Sequence, residues 1–378
     1  MPRSYSSSAR KDDLVILRKV QGLPWGFLGM MTAIACFGFL MLYSVAQGNF
    51  DPWASRQMVR FAIAIPLMLV VAVMDIRLWY QYAWLAFLAG AGLLVLTLIM
   101  GKIGGLGAQR WLSIGGLQFQ PAEVAKIGLA LAIARYYHRI HPENVGRLRT
   151  LIVPGLLIAV TAALVLKQPN LGMALIIISS GGITLFLSGV SWKKFAVAGV
   201  LAVAALPLVW SHMHGYQKQR VLTFLNPSSD PLGAGYNIIQ SEIAIGSGGF
   251  WGKGFLKGTQ SQLSFIPEKH TDFIFSTVAE EWGFVGGLAV IIMYGALVIS
   301  GLFIAMRSHS MFGRLLAAGL MAQMFMHVFI NIGMVMGMLP VVGVPLPLLS
   351  YGGTSLISTV VGLGFILNVH IHRDMKFS

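Results

Sequence analysis

Acidic residues are scarce in this chain: 13 Asp and Glu stand against 27 Lys and Arg among 378 residues, for a formal net charge of +14. Charge of either sign is thin, at 11%, where ordinary soluble domains carry about 25%. Cysteine is nearly absent. Cys36 is the only one, which excludes an intrachain disulfide and a cysteine metal site, and its apolar run reads it as a small buried hydrophobe. The histidine pairs His212/His214 and His370/His372 gather no further ligands into a zinc pattern. No Walker loop is present, and no clear repeat relates the two halves.

What the chain has instead is apolar surface. Hydrophobic residues make up 56% of it, and the mean hydropathy is +0.74. Apolar runs of spanning length recur throughout, so the expected fold is an all-α polytopic membrane protein. Ten spans are expected, near residues 25–47, 61–74, 83–100, 121–135, 151–166, 171–189, 195–210, 284–306, 315–339 and 349–370. The first run exceeds the ~7–15 residues of a signal-peptide core, so it reads as an anchor behind a cytoplasmic tail, residues 1–21. The whole chain, 1–378, reads as one integral-membrane domain.

Basic residues set the orientation. With the N-terminus inside, sixteen of the 27 fall in cytoplasmic segments, including Arg77, Arg139, Arg147, Lys193, Lys194, Arg307 and Arg314. An even number of spans with both termini cytoplasmic follows from the positive-inside rule. The large loop between spans seven and eight, residues 211–275, is then extracytoplasmic. The outer layer is basic too, with Arg56, Arg60, Lys102, Arg110, Lys167, Lys218, Arg220, Lys253, Lys257 and Lys269. The positive charge is thus explained by topology and by an anionic outer partner, a phosphate or phospholipid headgroups, and not by nucleic acid.

Several polar features stand out against this background. Glu123 and Lys126 lie three apart within the fourth span, on one helical face, where they form either a packing ion pair or a cavity support for other groups. Prolines break the outer joints at Lys167-Gln168-Pro169-Asn170 and between Leu339 and Pro347, freeing backbone groups that must face protein or a wet cavity. In the long loop, Tyr236, Ile239 and Ile243 carry the spacing of an amphipathic helix. Glycines from Gly246 to Gly258 alternate with Lys253 and Lys257, a phosphate cradle or a plain surface loop. Asp272 precedes Phe273-Ile274-Phe275 at the edge of an apolar element. Desolvation there raises a carboxyl pKa and makes a stronger base, while a helix cap would look the same. Glu280, Glu281 and His270 are alternative bases.

Taken together, several stretches carry a resemblance. They are Gly107-Ala108-Gln109-Arg110-Trp111-Leu112, Phe119-Gln120-Pro121-Ala122-Glu123-Val124-Ala125-Lys126, Asp230-Pro231-Leu232-Gly233-Ala234-Gly235-Tyr236, Gly258-Thr259-Gln260-Ser261-Gln262-Leu263, Pro267-Glu268-Lys269-His270-Thr271-Asp272-Phe273 and Ser350-Tyr351-Gly352-Gly353. The sequence resembles the SEDS family of peptidoglycan polymerases (shape, elongation, division and sporulation), and its rod-shape branch (RodA) more than its division branch (FtsW). The family usually shows Gln-Pro-Asp-Leu-Gly, whereas Asn170 stands at the acid here, which puts an essential charge at that position in doubt.

The resemblance implies a peptidoglycan glycosyltransferase of the bacterial inner membrane that polymerises lipid II for cell elongation, with Asp272 catalytic and Glu123/Lys126 a supporting pair. It also implies a class B penicillin-binding protein and the elongation machinery as partners. A diphosphate leaving group needs no acid partner, so one base and several cations suffice. Arg110, Arg220, Lys253, Lys257 and Lys269 are the diphosphate candidates. No metal cage is readable; a divalent cation, Mg or Mn, would act through phosphate oxygens. A lipid II flippase and a non-catalytic scaffold for a transpeptidase are the alternative functions.

Overall fold

The computed structural model describes residue 19 and residues 21–103, 109–114, 117–213, 215–230, 233–263, 265–266 and 268–375. The tail to residue 18, glycines 104, 105 and 107, Pro231, Leu232 and Pro267 lie outside the described residues. The elements in chain order are helices α1 (Trp25–Val45), α2 (Ala54–Val73) and α3 (Ile76–Met100), then strands β1 (Lys102–Ile103), β2 (Gln109–Ile114) and β3 (Leu117–Phe119). There follow α4 (Pro121–His138), α5 (Leu148–Lys167), α6 (Leu171–Leu187), α7 (Trp192–His212), α8 (Gly215–Leu225), α9 (Ala234–Gly248), α10 (Thr259–Gln262), α11 (Ile274–Arg307), α12 (Met311–Val335) and α13 (Gly353–Ile371). Among the described residues, α1, α2, α3, α5, α11, α12 and α13 are long and apolar enough to cross a membrane, and α6 is a shorter apolar helix.

The bundle is built around α12, whose most apolar stretch is 83% buried. It packs on α11, α6, α4 and α13. Small residues let neighbouring backbones meet, as in membrane helices generally. A Cβ on Gly90 would stand 2.8 Å from Ala125 Cα, and one on Gly128 would stand 2.7 Å from Ala86 O, so α3 and α4 touch along that line. At one end of the bundle Asn368 on α13 donates to Val71 O and Ala72 O, both at 3.0 Å, tying α13 to the end of α2. α7 is the opposite case: Val197, Val200, Leu201, Val203, Leu206 and Leu208 are all at least 58% exposed.

Several boundaries depart from the hydropathy reading. α11 begins at Ile274, ten residues before the expected start at 284, because Glu280 and Glu281 are buried inside it and do not end it. α13 begins at Gly353 and not at 349, since residues 336–352 run without regular structure. A three-stranded antiparallel sheet, β1-β2-β3, occupies the joint between α3 and α4. Its register pairs Leu112 with Phe119 and Ile114 with Leu117. Cys36 is exposed on the outside of α1 and not buried. α9 forms where an amphipathic helix is expected, yet it buries Gly235, Ile238, Ser241, Ala244 and Gly248, leaving Ile243 45% exposed. The face of small residues wins because α9 packs closely on α11.

Candidate active site

The segment before α11 is held by an exchange of backbone bonds. Gly283 has φ +65°, a left-handed conformation that only glycine adopts without strain, and it breaks α11. The freed groups pair with residues 249–254: Lys253 N donates to Glu280 O and Gly254 N to Glu281 O, each at 3.0 Å, while Phe284 N donates to Gly249 O at 2.9 Å and Val285 N to Phe250 O at 3.2 Å. Two donors and two acceptors freed at the break thus find partners.

Side chains reinforce the junction. Glu280, with no solvent exposure, accepts from Lys253 Nζ at 2.8 Å, Gln260 N at 2.8 Å, Ser261 N at 3.1 Å and Thr259 Oγ1 at 3.1 Å. Glu281 accepts from Ser44 Oγ of α1 at 2.5 Å. Lys253 is therefore paired with Glu280, its side chain 26% exposed. Lys269 donates to the Ser261 carbonyl, and burial lowers its pKa. Lys257 is exposed beside Gly254. His270 stacks on Trp53, with ring centroids 3.9 Å apart, and burial pushes its imidazole below the usual range.

Asp272 has different surroundings. Among the described residues its carboxylate accepts no hydrogen bond, and its Oδ2 faces Gly343, on which a Cβ would stand at 3.3 Å. Gly343 has φ +71°, so a side chain there would be both strained and crowded against the acid. Burial pushes the Asp272 carboxyl up to about 7, helped by Glu268, while the Arg110 and Arg220 guanidiniums pull it back. Two of the five candidate cations therefore converge electrostatically on Asp272. Arg110 reaches in from β2 and also donates to the carbonyls of Gln168 (3.4 Å) and Pro169. The broken joint between α5 and α6 thus forms part of the same rim. Asn170 is the N-cap of α6, its side chain accepting from Met173 N at 3.3 Å.

Glu123 and Lys126 sit deeper, at the start of α4, and pair at 3.0 Å. Glu123 also accepts from Ser358 Oγ of α13 at 2.7 Å. Lys126 contacts His327 Nε2 of α12 at 2.5 Å, and its carbonyl accepts from Gln323 at 2.9 Å. The group lines a cavity of about 40 Å³, room for roughly two to four waters. Sequence reading did not find the partners His327, Gln323 and Ser358; their signal is a polar side chain inside an apolar span. Among the described residues, no three His, Cys, Asp or Glu gather to hold a metal.

These features define a multi-helix membrane protein with a carboxylate at one end of the bundle whose pKa burial raises and the charges of Arg110 and Arg220 pull back. Residues 24–375 match the model of the FtsW/RodA/SpoVE cell cycle proteins, and the chain belongs to that family. It is 46% identical over 348 residues to the peptidoglycan glycosyltransferase MrdB of Escherichia coli K12, covering 92% of this chain and 93% of the relative. A chain of a solved peptidoglycan synthase complex, described as coordinating polymerization and crosslinking, superposes with a TM-score of 0.81 at 34% identity, over 94% of this chain and 99% of that one. The rod shape determining protein RodA of Thermus thermophilus gives 0.71 at 31% identity, over 94% and 98%.

Proposed function

We propose that this chain is a peptidoglycan glycosyltransferase that polymerises lipid II, with Asp272 as general base. The observation that carries the reading is the contrast at Asp272: a carboxylate raised to about 7, with no hydrogen bond from described residues, facing Arg110 and Arg220. A base with a pKa near the working pH combines ionisation with strength. Asp272 takes the proton from the 4-hydroxyl of one disaccharide as that oxygen attacks the anomeric carbon of the other. The bond to undecaprenyl diphosphate breaks, and Arg110 and Arg220 receive the leaving charge. If a divalent cation takes part, it enters on the substrate's phosphate oxygens.

The membrane reading goes with it. Each of the ten apolar segments coincides with one of the helices α1 to α7 and α11 to α13, supporting ten spans with both termini inside. Asp272 and the 211–275 loop then face outward, where a lipid-linked disaccharide is met. The match to a synthase complex supports a class B penicillin-binding protein as partner. The locked Glu123–Lys126–His327 group suits a fixed support better than a moving transport site.

Purified protein given lipid II is expected to form glycan strands, and Asp272→Asn to abolish them while the protein stays folded. Normal polymer from that variant would overturn the base assignment. Lipid II crossing proteoliposomes without polymer would favour a flippase instead.

A further inference from the structure

Loop carbonyls usually face water, but three consecutive ones leading to Asp272 do not. His270 O accepts from Tyr351 N at 2.9 Å, Thr271 O from Ser350 Oγ at 2.6 Å, and Asp272 O from Asn331 Nδ2 at 2.8 Å. Each donor is itself fixed from a second side. Ser350 Oγ accepts from Leu346 N at 2.8 Å, so its hydroxyl hydrogen is left to point at Thr271. Asn331, with no solvent exposure, spends the other hydrogen of its amide on Val344 O at 2.6 Å. That bond joins the Asp272 backbone to the 343–344 stretch that faces its carboxylate. Gln57 of α2, also fully buried, brackets Tyr351: it donates to Ser350 O at 2.8 Å and accepts from Gly352 N at 3.3 Å.

We propose that Asn331, Ser350 and Gln57 are positioning residues for glycosyl transfer: they clamp the backbone of residues 270–272 from α12, the 344–352 connection and α2, and so fix where the Asp272 carboxylate stands relative to the acceptor hydroxyl. The inference rests on Asp272 being the base. A carboxylate that receives no hydrogen bond of its own must be aimed through its backbone, and misplacement of about 1 Å costs on the order of 10²-fold in rate. Gln57 touches no residue of 270–272 and acts one bond further back.

The test is the full-length protein with lipid II, comparing Asn331→Ala, Ser350→Ala, Ser350→Thr and Gln57→Leu with wild type. In the alanine variants kcat is expected to fall roughly 10- to 100-fold with KM held within about twofold, because ground-state binding is not what the clamp provides. The acid limb of kcat is expected to move from near 7 toward the ordinary carboxylate range as the segment loosens into solvent. Ser350→Thr, which keeps the hydroxyl, should restore both readouts. A loss carried by KM, or a lower kcat with the acid limb unmoved, or a threonine no better than alanine, would overturn the clamp. If an alanine variant does not fold, Gln57→Leu decides alone: a smaller kcat loss with the same limb shift supports the clamp, and an unchanged profile overturns it. Amide hydrogen exchange at 268–273, expected to quicken in every loosened variant, reads the clamp without reference to activity. Activity surviving in Asp272→Asn would sink the base reading, a separate outcome.

Discussion

Asp272 and Glu280 stand eight residues apart on one continuous stretch, and their surroundings are opposite. Glu280 is saturated by four donors and has no exposure. Asp272 is held by its backbone while its carboxylate, unbonded among the described residues, feels the charges of Arg110 and Arg220. A saturated carboxylate has its charge neutralised in place and serves as a fastener. An unsaturated one in a recess keeps its proton affinity for something else. The difference is what the proposed base role of Asp272 rests on, more than residue type or burial.

The comparison breaks first at Asp272 itself. Asp272→Asn is expected to lower polymerisation by roughly 10²- to 10⁴-fold, the span of general base catalysis, measured as glycan strand formation. Because the folded carboxyl is raised from 3.8 to about 7, its protonated form favours the fold. That stability is fully present below about 4 and is lost as pH rises through about 7. The asparagine variant lacks this loss, so its melting temperature should exceed wild type at pH 8 and match it near pH 4. Wild-type activity should run the other way, falling as pH drops through about 7.

Glu280→Gln should do the reverse, costing stability before chemistry. Lys253 is 26% exposed, so the loss should be about 2–3 kcal/mol, toward the low end for a broken buried pair. Thermal melting would show it, and a melting temperature equal to wild type would erase the contrast. Arg220→Gln is expected to raise the KM for lipid II roughly 10-fold, the size of one charge-assisted bond. Asn170→Asp should change little: both residues cap helices equally well, so stability should stay within ~0.5 kcal/mol. A large gain in activity there would mean that the position needs charge after all.

The sequence made the class and the ten apolar segments legible, because hydropathy is a local signal, and it offered Asp272 as an interfacial carboxylate. It did not show which cations meet Asp272. Arg110 lies over a hundred residues from Arg220, and only the fold, with β2 carrying one and α8 the other, brings both to bear on Asp272. The pairing of Lys253 with Glu280 is likewise long-range, and no local window reveals it. The expected span began ten residues after α11 does, because two adjacent glutamates lower local hydropathy and their partners in 253–261 and at Ser44 are not visible in sequence. The small-residue face of α9 was hidden because close packing, not hydrophobicity, selected it.

The break at Gly283 has a consequence for chain continuity. Residues 249–254 are spliced into the hydrogen-bond ladder of α11, and α10 is pinned to Glu280 on the far side of the exposed tip at Leu256 and Lys257. A single protease nick at that tip would leave both new ends anchored to the same helix. The two fragments are then expected to stay assembled, held by the bonds on either side of the tip.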